Sequence, residues 1–130
     1  MTWLTSPAWI AIMRLALAAY VLLILALSLL PQPLPEGVEI NDKIGHLLAF
    51  FGLGFLADIA FPKQRLDGMK LLNLLLIGIL IEAMQFHTHY RTASLADLAA
   101  DAFGLLAYAL GRKWFSRKYL LKEHSSCNSF

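Results

Sequence analysis

The sequence predicts an all-α fold: a bundle of four transmembrane helices with both termini in the cytoplasm. The first observation is composition, since 58% of the 130 residues are hydrophobic and only 15% are charged, whereas a soluble domain carries about 25% charged residues. The second is a series of four continuous apolar runs, which excludes alternating strands and the open sheet edges that lipid would leave unpaired. A chain of this length forms one domain with no separate soluble module.

The first predicted span covers residues 8–30 and is interrupted only by Arg14. At about 1.5 Å per residue it crosses a hydrocarbon core of roughly 30 Å. Its apolar run exceeds the roughly 7 to 15 residues of a signal-peptide core, and no basic segment precedes it, so we expect it to be retained. Three shorter spans follow at residues 44–61, 69–86 and 95–111, near the lower limit of roughly 17 residues for a spanning helix. Linkers containing proline, glycine and charged residues separate them.

The basic residues predict the orientation. With four spans both termini lie on one side, and that side holds eight of the 11 lysines and arginines: Lys63, Arg65, Lys70, Arg112, Lys113, Arg117, Lys118 and Lys122. The positive-inside rule places that side in the cytoplasm, so residues 112–130 form a basic cytoplasmic tail. Trp114, Phe115 and Tyr119 in this tail are typical of an interfacial anchor, and we expect no nucleic-acid partner.

Polar residues from three regions of the chain converge on the opposite, outer leaflet. They come from the start of span two, the end of span three and the start of span four. We predict that they form one ligand-binding site: Asp42, Lys43, His46, Glu82, Gln85, Arg91, Ser94, Asp97 and Asp101.

Some polar residues also have a purely structural interpretation. Asp42 would lie in the first helical turn after an Asn41 N-cap, and Ser94 and Asp97 fit a capping box at the start of span four. In the other leaflet, Asp58 is expected to pair with Lys63 or Arg65. His87 and His89 are interpreted as solvated loop residues in preference to metal ligands.

Three residues resist such an interpretation and are the candidates for catalysis. Asp101 and His46 each lie one turn deeper than Asp97 and Asp42, beyond the reach of capping. Glu82 lies near the C-terminal end of its helix, where the macrodipole disfavours a carboxylate and adds to its desolvation cost. It therefore needs a cation, a hydrogen-bond donor or a proton.

Small residues predict where helices approach closely. One row on span four consists of Ala96, Ala100 and Gly104. A similar row on span two consists of Gly45, Ala49 and Gly52. Such rows let helix backbones pack without lipid between them, which would allow the polar residues to share a cavity.

The ordered combination of these motifs resembles the VanZ-like family of small bacterial membrane proteins. It consists of Asp42-Lys43-x-x-His46, Glu82-x-x-Gln85, Arg91, Ser94-x-x-Asp97, and then Gly104 and Gly111. The resemblance implies a multi-pass protein of the bacterial cytoplasmic membrane, a role in the cell envelope linked to teicoplanin resistance, and no established reaction. Where the family usually carries asparagine this chain has Asp101, which adds a titratable group.

Two classes of function fit these residues. The first hypothesis is a binding protein, in which Arg91 and Lys43 engage an anionic lipid or a lipid-linked envelope intermediate as partner. The alternative is an enzyme, in which Glu82 or His46 is the general acid or base on a lipid-linked head group. Binding leads because no recognised catalytic spacing is present.

Two further hypotheses are weaker. No cofactor is predicted, and a divalent metal held by His46, Glu82 and Asp101 is the minor variant, because their spacing matches no standard motif. A proton or ion path is disfavoured by the scarcity of polar residues in the inner half of the spans.

Overall fold

The computed structural model describes residues 6–29, 39–64, 66–87 and 94–127, with the side chains of 39–41 and 117–127 outside its description. These ranges form four helices and contain no strand. The helices are α1 (Pro7–Leu29), α2 (Glu39–Ala60), α3 (Gly68–Phe86) and α4 (Leu95–Cys127). The all-helical prediction is confirmed.

Three of the four helices are long and apolar enough to cross a membrane: Pro7–Leu29, Asp42–Ala60 and Gly68–Phe86. Large apolar side chains cover their outer surfaces and that of α4, as with Leu15 (71% exposed) and Phe103 (64% exposed). A surface of this kind suits lipid and not water. The span predicted at 95–111, which contains Asp97 and Asp101, stays a prediction, as does the orientation.

Local capping explains where three helices begin. Ser6 precedes Pro7 and its Oγ accepts a hydrogen bond from Trp9 N at 3.3 Å. Asp67 is the N-cap of α3 and its Oδ1 accepts from Lys70 N at 2.9 Å. Ser94 precedes α4 and its Oγ accepts from Ala96 N at 3.2 Å. Each side chain satisfies a backbone donor that has no partner within the helix.

Two predicted boundaries differ from the structure. Helix α2 begins at Glu39, so Asn41 lies inside the helix and the N-cap prediction for it is wrong. Helix α4 continues beyond the predicted end of its span at Gly111 as far as Cys127. The physical reason is that hydropathy marks where a segment leaves lipid, whereas a helix ends only where backbone and capping require it.

The most extensive helix contact joins α2 and α4. Gly104 makes it possible, because a Cβ there would fall on the carbonyl oxygen of Leu47 and 3.0 Å from Phe51 N. The predicted row on α2 does not face this contact. Gly52 lies under the Tyr20 ring of α1, and Tyr20 Oη donates to Ala49 O at 3.1 Å. Gly52 therefore packs against α1, whereas the backbone of α2 at Leu47 and Phe51 faces Gly104.

Successive helices run in opposite directions and give the bundle two chemically different ends. The end that combines the C-termini of α1 and α3 with the N-termini of α2 and α4 is called the polar end. The basic end combines the other four termini. A core of apolar side chains separates the ends: Ile24, Phe50, Leu53, Ala57, Leu74, Ile81 and Leu105.

Asp58 organises the basic end. Its carboxylate accepts a hydrogen bond from Tyr108 Oη at 2.9 Å, forms an ion pair with Lys70 Nζ at 3.5 Å, and pairs with Arg112. The predicted partner Lys63 is an exposed loop residue and Arg65 lies outside the described residues. The structural role expected of Asp58 agrees with this arrangement, but the partners come from α3 and α4, which sequence proximity could not indicate.

Candidate functional site

A buried histidine–carboxylate pair lies at the centre of the polar end. His46 of α2 and Asp101 of α4 are joined by a 2.9 Å hydrogen bond between Nδ1 and Oδ1, and Asp101 is fully buried. The close α2–α4 packing at Gly104 brings these residues together across the bundle. An ionised carboxylate can only accept, so with Asp101 ionised Nδ1 carries the hydrogen, and the neutral form of the ring then has its lone pair on Nε2.

Glu82 of α3 is the second buried ionisable group. It is 9% exposed, and its Oε2 accepts a hydrogen bond from Ser94 N at 2.8 Å. The carboxylate, disfavoured at the end of its own helix, is thus stabilised by the N-terminus of the next one. Its Oε1 has no hydrogen-bond partner among the described residues.

Asp97 and Asp42 complete the group. Asp97 is buried and Asp42 half-buried, and together with His46 each can offer one ligand atom so that the three atoms lie within 4.8 Å of one another. Ser94 acts as the expected N-cap. In a capping box the side chain three residues later accepts a hydrogen bond from the N-cap N–H. Here the N–H of Ser94 donates to Glu82.

Gln85 connects the site to α1. Its Nε2 donates to the carbonyl oxygen of Ser28 at 3.0 Å, and both side chains are buried. Ser28 in turn donates its hydroxyl to Ile24 O at 2.6 Å. At least part of the hydrogen-bonding capacity of Gln85 is therefore used to hold α3 against α1, a role that the sequence interpretation missed.

Gly78 is a further residue that the sequence interpretation missed. A Cβ at this position would meet Asp101 Oδ2 at 2.5 Å and Phe50 Cζ at 3.1 Å. Glycine therefore lets α3 approach the buried aspartate. The available signal was an isolated glycine one turn before Glu82 in a helical apolar run, which indicates close approach of another chain segment.

The remaining predicted residues lie at the margin of the site or beyond it. Lys43 is half-buried on α2. Arg91 and His89 lie outside the described residues. His87 caps α3 and is exposed, as expected of a solvated residue, with Nδ1 2.8 Å from Ala83 O.

The described part of the polar end carries more carboxylates than cations. Its carboxylates are Asp42, Glu82, Asp97 and Asp101, and its described basic residues are Lys43, His46 and His87. Buried charges need partners or a metal ion. The arrangement can hold a proton on Glu82, accept hydrogen bonds from a polar ligand, or coordinate a cation through carboxylate oxygens and His46 Nε2.

Comparisons with protein-family models, with curated proteins and with solved structures give no match for this chain. The resemblance of its motifs to the VanZ-like family stays a prediction.

Proposed function

We propose that this chain is a multi-pass protein of the bacterial cytoplasmic membrane that performs acid–base chemistry on the polar head group of a lipid or lipid-linked envelope molecule. The observation that carries the proposal is Glu82, a nearly buried carboxylate with one oxygen held by Ser94 N and the other without a hydrogen-bond partner in the described structure. A nearly buried carboxylate at the polar end of the bundle is positioned to exchange a proton with a bound ligand.

The orientation proposed for the bundle puts the polar end at the outer leaflet. The described lysines and arginines concentrate at the other end: Arg14, Lys63, Lys70, Arg112 and Lys113. The positive-inside rule assigns that end to the cytoplasm. The indole-bearing residues Trp9 and Trp114 also lie there, as in an interfacial belt. In this orientation α4 is the fourth span and both termini are cytoplasmic.

The geometry supports an enzyme more strongly than simple binding of an anion. Carboxylates dominate the described site, and they would repel a bare phosphate group. The pair formed by His46 and Asp101 resembles the arrangement in which a carboxylate fixes the orientation of a catalytic or ligating imidazole. The low dielectric of a buried site strengthens such electrostatic effects.

Recognition without reaction is the second candidate, favoured by one observation. Lys43 lies half-buried at the polar end, where its ammonium group can reach an anionic head group at the membrane surface. In that case Glu82 would accept hydrogen bonds from sugar or peptide groups of the ligand. The motif resemblance supports an envelope role for both candidates and makes teicoplanin susceptibility a useful cellular measurement.

The test compares wild-type protein with Glu82→Gln in proteoliposomes made from a total bacterial lipid extract, with products followed by mass spectrometry. We expect head-group conversion by the wild type and a loss of at least about 100-fold in Glu82→Gln, the usual contribution of a general acid or base. Asp67→Asn is the matched control, because it removes a carboxylate at the basic end and asparagine caps a helix as well as aspartate does.

Two results would overturn the proposal: the absence of any lipid product from the wild type, or equal conversion by Glu82→Gln. Retained lipid association in Glu82→Gln, combined with loss of association in Lys43→Gln and no conversion by either, would establish the recognition candidate in its place. Expression of the same variants in cells challenged with teicoplanin adds a physiological measurement.

A further inference from the structure

We propose that Asp42, His46 and Asp97 bind one divalent transition-metal ion, Zn²⁺ or Mn²⁺, with Asp101 as the residue that orients His46. The binding itself is independent of the proposed function. The role assigned to the ion, holding an anionic head group beside Glu82, rests on that function.

The three ligands come from the two helices that pack most closely. Asp42 and His46 are four residues apart and therefore lie on one face of α2, and Asp97 projects from α4. Their ligand atoms lie within 4.8 Å of one another. Atoms bound to one tetrahedral zinc ion at about 2.1 Å lie about 3.4 Å apart, so side-chain movements of about 1 Å would close the site.

The donor set identifies the kind of ion. One imidazole nitrogen and two carboxylate oxygens suit zinc or manganese, whereas magnesium and calcium take oxygen ligands alone. Three protein ligands leave a coordination position for water or substrate, as in catalytic zinc sites. A structural zinc site would instead be closed by a fourth protein ligand.

The bond between His46 and Asp101 prepares the imidazole for a metal. With Nδ1 donating to Asp101 at 2.9 Å, the ring is held in the tautomer whose Nε2 lone pair is available. Ligating histidines in metalloproteins commonly donate their other N–H to a carboxylate, and losing that partner typically weakens metal binding 10- to 100-fold. Asp101 is thus a positioning residue and not a ligand, unlike in the minor metal variant considered from the sequence.

Glu82 is a separate observation that points to a cation. It is nine-tenths buried, its Oε1 has no hydrogen-bond partner among the described residues, and it lies within electrostatic range of His46 and Asp97. A carboxylate this deeply buried, with one oxygen that accepts no hydrogen bond, is costly without a nearby positive charge. A divalent ion supplies that charge and would also attract a phosphate group that the carboxylates alone repel.

The experiment measures metal content and affinity without any substrate. Protein purified in detergent without chelators is analysed by inductively coupled plasma mass spectrometry. Chelator-stripped protein is then titrated with Zn²⁺ and Mn²⁺. We expect about one ion per chain, at least 100-fold weaker binding in Asp42→Asn and in Asp97→Asn, and 10- to 100-fold weaker binding in Asp101→Asn. Asp67→Asn, with the same charge change at the basic end, should bind like the wild type.

The proposal is overturned if wild-type protein binds neither ion more tightly than Asp42→Asn does, or if Asp67→Asn loses affinity to the same extent. Asp42 is half-buried, so its variant should keep the helical circular dichroism and the elution volume of the wild type even if the Asp97 variant fails to fold.

The two proposals can fail separately. Metal binding without lipid conversion contradicts the proposed function alone. Conversion that persists in metal-free protein contradicts the role assigned to the ion, and absence of binding in the titration contradicts the metal site itself.

Discussion

The two ends of the bundle surround their carboxylates with different partners. At the basic end Asp58 has a tyrosine hydroxyl and two cations, Lys70 and Arg112, around it. Its Oδ1 accepts no hydrogen bond but lies 3.5 Å from the Lys70 ammonium group. At the polar end Glu82 has a single backbone donor, and one oxygen each of Glu82 and Asp101 has no hydrogen-bond partner in the described structure.

The difference separates a structural charge from a functional one. Asp58 connects α2 to α3 and α4, and its charge is compensated within the protein. At the polar end, Oε1 of Glu82 and Oδ2 of Asp101 have no hydrogen-bond donor in the described structure and are left for a proton, a ligand or an ion, which is a stability cost that a purely structural site would avoid. The following substitutions test this contrast through equilibrium unfolding in mixed detergent micelles.

Asp58→Ala should have the largest effect, a loss of about 3 kcal/mol in the free energy of unfolding. The substitution leaves the buried Lys70 ammonium group and the Tyr108 hydroxyl without their carboxylate partner. Lys63→Ala, in the exposed loop nearby, is the control and should change stability by less than about 0.5 kcal/mol. If Asp58→Ala is as stable as the wild type, the partners of Asp58 do not stabilise the fold as the contrast between the two ends requires.

Gly78→Ala should destabilise the protein by about 2 kcal/mol, because the new methyl group overlaps Asp101 Oδ2 and crowds Phe50. Gly68→Ala is the matched control on the same helix, since a Cβ there meets nothing within 4 Å. Equal stability of the two variants would show that α3 does not press against the buried aspartate.

Glu82→Gln should change stability by only about 1 kcal/mol, in the stabilising direction. The amide oxygen can still accept from Ser94 N while the buried charge is removed. Asp58→Asn makes the same chemical change at the other end and should destabilise, because it strips charge from a compensated pair. The contrast between the two ends is wrong if Glu82→Gln lowers the free energy of unfolding as much as Asp58→Asn does.

Arg112→Ala should have the smallest effect, about 0.5 kcal/mol. Its side chain is 44% exposed, so water and head groups screen its interaction with Asp58. Lys70→Ala is the contrasting variant, because Lys70 is buried and its loss should cost several times more. A larger effect for Arg112 would reassign the main partner of Asp58.

Predictions from the sequence were most accurate where a residue's environment depends on its neighbours along the chain. The ends of α1 and α3 were predicted to within one residue, and the Ser94 cap was recognised from its position before an apolar run. His46, Glu82 and Asp101 were also identified correctly as unusual. Helical periodicity places His46 and Asp101 beyond the reach of a cap, and Glu82 lies near a helix C-terminal end, where the macrodipole disfavours a carboxylate. All three are buried in the structure.

Predictions were less accurate where contacts join distant segments. The partners of Asp58 were assigned to nearby loop residues, and the small-residue row of α2 was not expected to seat α1. The metal hypothesis grouped Asp101 with the ligands, whereas the structure joins it directly to His46 Nδ1.

The sequence by itself determined the helical class, the apolar surface and the concentration of ionisable residues at one end of the bundle, because these depend on composition and on the 3.6-residue period. Only the tertiary structure decided which of those residues touch. Pairing depends on which helix faces meet and how closely, and here Gly104 and Gly78 set that closeness by leaving room for another helix. Gly104 permits the close packing of α2 and α4 at which Asp101 meets His46, and Gly78 permits α3 to approach Asp101.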